Sequence, residues 1–421
     1  LDIIRKIKGT QDILPDQSFR WQALEKQVRS GMAQYNFKEV RTPVFELTRL
    51  FSRGIGELTD IVSKEMYTFV DRSKKSLTLK PEMTAPVIRA YIENNLQAKT
   101  AVNKLYYISS LFRQENPQAG RLRQFHQFGA ELIGAASPLA DVEIIDLALN
   151  ILENLDLKNC SLKINSVGDP ESREPYKKLL QGYLLKNISA PSPEVARRIE
   201  HNPLRVLDSK DPGLGDIIAA APKLADHLSP KAKEHYATVK NVLGKLGIGF
   251  EEDPTLVRGL DYYTHTVFEI TSGDLGAQNA LLGGGRYDLL TGQLAGKDAP
   301  AVGFAAGMER ILMALESQDV KIADPAAMDI FLIALGGPAV ARVAGFSHML
   351  RRAGFSCDTD YLGRSMKAQF REANRQKARW VLILGEDELT GERFTVKNMA
   401  TGEQTDVPFN NITNYLKSQQ K

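Results

Sequence analysis

Between Leu105 and Glu131 the chain reads Leu-Tyr-Tyr-Ile-Ser-Ser-Leu-Phe-Arg-Gln-Glu, then Asn-Pro-Gln-Ala-Gly-Arg-Leu-Arg, then Gln-Phe-His-Gln-Phe-Gly-Ala-Glu. The aromatic and β-branched first part predicts a strand, the middle a basic loop, and the last part a returning strand. Alternation puts Tyr107, Ser109, Leu111, Arg113 and Glu115 on one side of the first strand, and Phe125, Gln127, Gly129 and Glu131 on one side of the second. If the pairing makes the two sets coincide, one surface offers a cation for phosphate, a ring for stacking a base and polar groups for a small ligand. Arg121 and Arg123 in the turn stand over it. An amphipathic hairpin with a solvated basic turn fits the same residues equally well. Three more places could supply chemistry. Glu82 and Thr84 fall at a strand-to-helix junction, where helix capping is the plainer role. Arg258 precedes Gly259, a position where backbone can approach a ligand closely. Arg310 falls on or beside a packed face, costly unless it meets an anion or a π-face.

These residues need a frame to bring them together. A helix from about Asp16 carries Trp21, Leu24, Val28, Met32 and Tyr35 at spacings of three and four, which makes one apolar stripe. Phe37 to Glu46 reads as extended, and Pro43 confines it to an edge or an interface open to a second chain. Leu77 to Ala85 is a short strand turning at Pro81, with Pro86 in the first turn of the helix that follows. After the hairpin come a helix over Asp141 to Leu155 and a strand over Ser161 to Val167. From about Pro170 to Phe250 the chain turns helical, lysine-rich and proline-punctuated, as an inserted domain would be. Sheet character is expected again over Pro254 to Ile270. Gly283-Gly-Gly-Arg-Tyr-Asp288 is not a GxxxxGK[ST] phosphate loop and by itself signals only a turn or close packing. Ala301 to Leu315 predicts a helix whose Gly303 and Gly307, one turn apart, let it lie close on a sheet. Beyond a linker-like stretch from Gln318 to Ala327, alternating strands and helices predict a small α/β domain. From Ala339 to Trp380 nine Lys or Arg stand against three acids, an excess of six and a candidate nucleic-acid face. A solvated surface accounts for the same charges.

Bulk properties narrow the class. A chain of 421 residues with 43% hydrophobic and 25% charged residues has the balance of a globular protein of about three domains. Its net charge of +3 decides nothing alone. Cys160 and Cys357 lie far apart and fit neither a disulfide framework nor a metal knuckle, so a reducing cytoplasm is expected. No apolar run approaches the ~20 residues of a membrane span, and Leu-Asp-Ile-Ile-Arg-Lys carries no apolar signal core. The six histidines form no HExxH pair, which argues against a zinc hydrolase.

Several stretches together resemble the histidyl-tRNA synthetases, a family of class II aminoacyl-tRNA synthetases. Phe37 to Glu46 is similar to the first class motif, Phe112-Arg-Gln-Glu115 through Arg121 to Gln127 to the second, and Gly303 to Arg310 to the third. Leu256-Val-Arg-Gly-Leu-Asp-Tyr-Tyr263 and Gly283 to Asp288 resemble the two motifs that name the amino acid. The resemblance implies an α+β fold: an antiparallel-sheet class II catalytic domain over 1–169 and 251–322, a helical insertion over 170–250, and an α/β anticodon-binding domain over 328–421. It implies activation of L-histidine with ATP and Mg2+, transfer to tRNA(His), a cytoplasmic homodimer with Pro43 at the interface, and no membrane. Arg113 would bind the α-phosphate. Arg310 and Phe125 would sandwich the adenine, Glu115 would meet the adenine or the tRNA terminus, and Arg121 the outer phosphates. Arg258 would be a second cation at the α-phosphate and the substrate carboxylate. Glu82, Thr84 and Gln127 would take the α-ammonium group. Glu131 and Tyr263 would hold the imidazole nitrogens, walled by Tyr262 and Tyr287. Such paired polar groups discriminate strongly, so no editing domain is expected. Mg2+ would clamp the outer phosphates, with no protein side chain assigned to it. Lys80, Met83, Gln114 and Asn116 depart from the commonest family form. A second reading is the non-catalytic, histidine-sensing regulatory subunit of ATP phosphoribosyltransferase, which predicts lost arginines and no anticodon domain. A third, a prolyl or threonyl enzyme, conflicts with Leu256 to Tyr263.

Overall fold

A computed structural model describes residues 3–56, 59, 61–118, 120–209, 211–276, 279–295, 297–322 and 328–419. The chain forms two compact units, Leu1–Ile322 and Ala323–Lys421. The first is built on an eight-stranded sheet in the order Lys38–Glu39, Asn103–Phe112, Gln124–Ile133, Ala301–Gly307, Ala280–Arg286, Thr264–Ser272, Cys160–Ser166, Glu251–Glu252. The six inner strands are antiparallel, and the short outer strands add in parallel at each edge.

The two faces of this sheet have different fates, and period-2 alternation decides which side chain goes where. On one face Phe128, Ala130, Leu132, Phe268, Leu282 and Phe304 are buried under helices. Helix Pro15–Gln34 contributes Trp21, Leu24, Val28 and Met32, as its stripe predicts, and starts with a proline in its first turn. Pro138–Asn154, Pro230–Lys245 and Met308–Ser317 complete the layer. The other face carries Phe125, Gln127, Gly129 and Glu131, and is only partly covered by helix Thr84–Glu93 and the helical insertion. The hairpin register pairs Tyr107 with Gly129, Ser109 with Gln127 and Leu111 with Phe125. The two expected sets therefore coincide on one surface.

Between Pro170 and Lys245 the chain is helical. Three of its helices begin at a proline preceded by an oxygen-bearing cap. Asp169 accepts from the Ser172 amide, Ser192 from Val195 and Ser229 from Ala232. A small sheet of Phe45–Leu47, Ser76–Leu79 and Thr68–Val70 stands apart.

Three sequence readings change. Ala301 to Leu315 is not one helix but strand Ala301–Gly307 followed by helix Met308–Ser317. A run of small apolar residues buried on both faces looks the same as a buried helix. Gly303 and Gly307 are thus strand residues. Gly283 to Gly285 is not a turn but the middle of strand Ala280–Arg286. In Pro254 to Ile270 the strand starts only at Thr264, and residues 254–263 are turns and loop.

The second unit holds a sheet in the order Cys357–Thr359, Ile330–Ala334, Trp380–Leu384, Arg393–Asn398, Gln404–Pro408. The first three strands are parallel and the last two antiparallel. Helices Gly337–Arg352 and Met366–Arg375 connect the parallel strands, as the alternation predicts. The final two strands and helix Ile412–Ser418 were not legible in the sequence. Much of the basic excess is exposed, including Arg352, Lys367, Arg371 and Arg379. Arg364 and Arg375 both pair with Glu372.

Candidate active site

The open face of the large sheet floors a cavity of about 650 Å³. Arg113, Glu115, Arg121, Phe125, Gln127, Glu82, Thr84, Arg258, Tyr262, Tyr263, Tyr287 and Arg310 all line it. Those residues come from five separated segments of the chain. Three of the expected residues, Arg123, Glu131 and Pro43, do not line it, and Arg123 instead donates Nε to the Glu115 carbonyl at 3.3 Å. Glu131 sits just behind the wall, and Pro43 is exposed outside the lining, beside exposed Val44 and Phe45.

One end of the cavity is acidic and phenolic. Glu131, 1% exposed, accepts a hydrogen bond from Thr84 Oγ1 at 2.8 Å and another from the Tyr287 hydroxyl. Burial pushes its carboxyl up to about 8, against the opposing effect of Tyr287 and Thr84. The carboxyl lies against the neighbouring strand at Gly303, where a Cβ would come within 1.8 Å of Oε2. Only glycine leaves that space. Glu82 accepts from the amides of Thr84 (2.7 Å) and Ala85 (2.9 Å), so it caps helix Thr84–Glu93 while lining the cavity. Capping and ligand contact are both open to it. Burial raises its pKa, opposed by those amides and by Arg113. The rings of Tyr262 and Tyr263 lie 4.7 Å apart and those of Tyr262 and Tyr287 5.6 Å apart.

The other end is cationic. Arg113 follows directly on strand Asn103–Phe112, donates Nε to the Pro81 carbonyl at 3.0 Å, and lies 5.1 Å over the Phe125 ring. Burial depresses its pKa, with Glu65, Glu115 and Glu82 opposing. Arg310, in the first turn of its helix, donates Nε to Gly120 (3.1 Å) and Nη1 to Ala280 (2.9 Å). Burial and then Arg121 work against its charge. Arg121 reaches Glu115 at 3.5 Å. Between the two ends Arg258 donates Nη1 to Glu269 at 2.6 Å, and its buried Nε has no partner among the described residues. Burial opposes its charge, but Tyr263 and Glu269 outweigh burial and raise its pKa. A Cβ at Gly283 would lie 2.2 Å from this guanidinium.

Such a cavity can neutralise a polyanion at one end and read a small polar ligand at the other, with Arg258 at the junction. Sequence reasoning missed the groups that hold these side chains. Glu269 was visible as the one acid in strand Thr264–Ser272. Glu309, beside Arg310, accepts from the His126 amide at 2.9 and 3.0 Å and so ties the start of its helix to the hairpin. Tyr107 also lines the cavity, buried, on the face that alternation assigned to it. Behind the wall, Arg286 and Asp141 form a buried ion pair. Arg286 also donates to the carbonyls of Ala135 (2.9 Å) and Ser137 (3.1 Å). Of the four atypical positions, only Met83 lines the cavity. Lys80 is buried outside it, and burial lowers its pKa to about 8 against the pull of Glu46.

A family model described as histidyl-tRNA synthetase matches residues 9–169 and 193–311, and one described as anticodon binding domain matches 329–419. The chain is 44% identical to a histidine–tRNA ligase of Halothermothrix orenii over 97% of its own length and 98% of that protein's. It is 49% identical to one of Chloroherpeton thalassium over 95% of each. The structure of apo S. aureus histidyl-tRNA synthetase superposes with a TM-score of 0.84 at 37% identity, covering 99% of this chain and 100% of that one.

Proposed function

The chain belongs to the histidyl-tRNA synthetase family, and from that premise we infer how its cavity divides the work. It is a class II histidine–tRNA ligase with a C-terminal anticodon-binding domain. It joins histidine to ATP as histidyl-adenylate and passes the histidyl group to tRNA. In the first step the histidine carboxylate attacks the α-phosphate of ATP and pyrophosphate leaves. No protein nucleophile is needed, so the work is positioning and neutralising charge.

Arg113 and Arg258 meet the α-phosphate from two sides, and Arg258 also meets the attacking carboxylate. Arg310 lies on one face of the adenine and Phe125 on the other, with Glu115 at its edge and Arg121 toward the outer phosphates. Glu82, Thr84 and Gln127 take the α-ammonium group. Tyr263 and Glu131 read the imidazole, walled by Tyr262 and Tyr287. A protonated Glu131 can donate to a ring nitrogen and an ionised one can accept from a ring N–H, which suits an imidazole partner. One observation carries this reading: Arg113, Arg258 and Arg310, from three distant parts of the chain, line one cavity together with the acidic and phenolic groups.

Magnesium would accompany ATP. It typically takes one or two carboxylates and otherwise phosphate oxygens and water. The cavity wall carries Glu65, Glu115 and Glu269, so the donor set fits. Among the described residues no cluster of three or more metal-ligating side chains gathers. When bound, the ion supplies charge neutralisation on the outer phosphates.

The domains follow as catalytic (1–169 and 251–322), insertion (170–250) and anticodon-binding (328–421). A homodimer through the region of Pro43 is supported by the exposed apolar patch of Val44, Phe45, Phe69 and Val70. A cytoplasmic setting is supported by two free cysteines. No described helix is long and apolar enough to cross a membrane. The regulatory-subunit alternative loses ground to the anticodon-domain match and the full arginine set. The deciding experiment is pyrophosphate exchange into ATP with each amino acid in turn. Exchange with histidine alone is expected, and equal exchange with another amino acid would refute the pocket assignment.

A further inference from the structure

Residues 256–263 carry Arg258, Tyr262 and Tyr263 into the cavity, yet belong to no strand or helix. A loop of this kind leaves its backbone groups without a ladder, so something else must satisfy and fix them. The helical insertion does so. Arg205, in the short turn Pro203–Val206, donates Nε to Asp261 Oδ1 at 3.1 Å and Nη2 to the Gly259 carbonyl at 2.8 Å. Asn202 donates to the same Asp261 oxygen at 2.8 Å. Arg173, on helix Pro170–Asn187, donates Nη1 to the Tyr263 carbonyl at 2.7 Å. The Asp261 amide itself donates to the Ile55 carbonyl at 3.2 Å. The Asp261 carboxylate also fills the space beside Gly56, where a Cβ would lie 2.7 Å from Oδ2.

Arg258 is thus held on the C-terminal side by contacts one and three residues away, at Gly259 and Asp261, and Tyr263 by a contact on its own carbonyl. The donors Arg205, Asn202 and Arg173 all come from the insertion. We propose that Arg205, Asn202 and Arg173 are positioning residues for amino-acid activation. They clamp the Gly259 and Tyr263 carbonyls and the Asp261 carboxylate and so aim Arg258 and the two tyrosines at the substrate. Arg205 uses two donors at fixed spacing on two different acceptors, a geometry that guanidinium offers and ammonium does not. Displacing a reacting group by about 1 Å can cost about 10²-fold in rate, so a clamp that touches no reacting atom still controls the step. The consequence is that the insertion, whatever binds on it, is wired to the amino-acid end of the cavity.

This inference rests on the ligase reading, and the full chain tests both. Histidine-dependent pyrophosphate exchange is measured for the parent, Arg205→Met, Arg205→Lys, Asp261→Ala, the Arg205→Met/Asp261→Ala double variant, and Arg173→Met, each with a thermal melt. Arg205→Met and Asp261→Ala are each expected to lower kcat/KM for histidine by about ten- to a hundredfold. The KM for histidine should rise while that for ATP stays within about twofold, a split that mere loss of folded protein does not produce. The double variant should be no worse than the poorer single one, because both break the same contact, and Arg205→Lys should recover part of the loss. Arg205 also reaches the cavity rim, so additive losses in the double variant would mean that it acts on the ligand directly, and would overturn the clamp. So would unchanged kinetics in Arg205→Met and Asp261→Ala. If either variant fails to fold, Arg173→Met carries the same histidine-selective expectation, and parental kinetics there overturn it. A parent without histidine-dependent exchange takes down the ligase reading and this inference together. A parent that exchanges beside unaffected variants removes this inference alone.

Discussion

The two ends of the cavity are built in opposite ways. At the acidic end the side chains bond to one another: Thr84 and Tyr287 both donate to Glu131, and Glu82 is occupied by two amides. Behind them Arg286 and Asp141 are fully buried, and His235 Nε2 stands 3.2 Å from Asp141. At the cationic end the arginines line the cavity while tied chiefly to backbone carbonyls and a ring, by one or two donors each. A preformed network is the structure expected of a site that must reject wrong ligands, because its groups go unpaired when the ligand lacks the right atoms. Guanidiniums with donors in reserve suit charge that develops during reaction. The contrast predicts that substitutions at the cationic end alter rate with little effect on stability, and that those at the acidic end alter both.

The largest effect is expected at the junction. Arg258→Ala removes a cation proposed to meet both the α-phosphate and the attacking carboxylate. Comparable cations in phosphoryl transfer are worth about 10³–10⁵ in rate, so histidine-dependent exchange should fall by at least about 10³-fold. Histidine binding, measured by calorimetry, should weaken far less. A variant exchanging near the parental rate would show that the two ends do not meet at Arg258.

Next in size is the backing of the acidic end. Arg286→Met leaves Asp141 buried beside His235 with its principal counter-charge gone, a kind of change that costs about 3–5 kcal/mol. Urea denaturation measures it. A loss below about 1 kcal/mol would mean that the pair does not brace the end of strand Ala280–Arg286, which Tyr287 directly follows.

Glu131 sharpens the comparison through pH. Its folded pKa, about 8, lies above its ordinary 4.5, so between those values the folded state holds a proton that the unfolded chain has released. Its stabilising contribution is therefore complete below the ordinary value and declines as pH rises to about 8, by roughly 1.4 kcal/mol per pH unit. Glu131→Gln cannot titrate, and its stability profile should be flatter across that window. Identical slopes in parent and variant would place the proton elsewhere.

How much of this was legible beforehand follows from which interactions are local. The hairpin face was readable because alternation leaves two choices and the apolar set excludes one. Arg113, Phe125, Gln127 and Glu131 followed from it. Strand Ala301–Gly307 was misread because small apolar residues carry neither a helical nor a strand period once both faces are buried. The glycines at Gly283 and Gly303 gave a signal without a meaning. Their purpose lies in a neighbour's side chain, Arg258 in one case and Glu131 in the other, which no local pattern reveals. The contacts of Arg205 with Asp261 and of His126 with Glu309 likewise span long stretches of sequence and depend on the assembled fold.

The smallest effect is expected at Arg121, and its smallness is the test. Arg121 pairs with Glu115 at 3.5 Å, and its side chain is 41% exposed against 14% for Glu115. A pair so open to water contributes about 0–1 kcal/mol to stability, so Arg121→Ala should melt with the parent. Its proposed task lies with the outer phosphates, groups bound about equally before and during the reaction. Losing contact with such a group weakens ground state and transition state alike, which raises KM and leaves kcat in place. Exchange kinetics at varied ATP should therefore show a KM several times the parental value, with kcat and the KM for histidine unchanged. A fall in kcat instead would place Arg121 at the reacting phosphorus beside Arg113 and Arg258. A clear loss of stability would mean that the cationic end, too, is a bonded network, and the difference between the two ends would disappear.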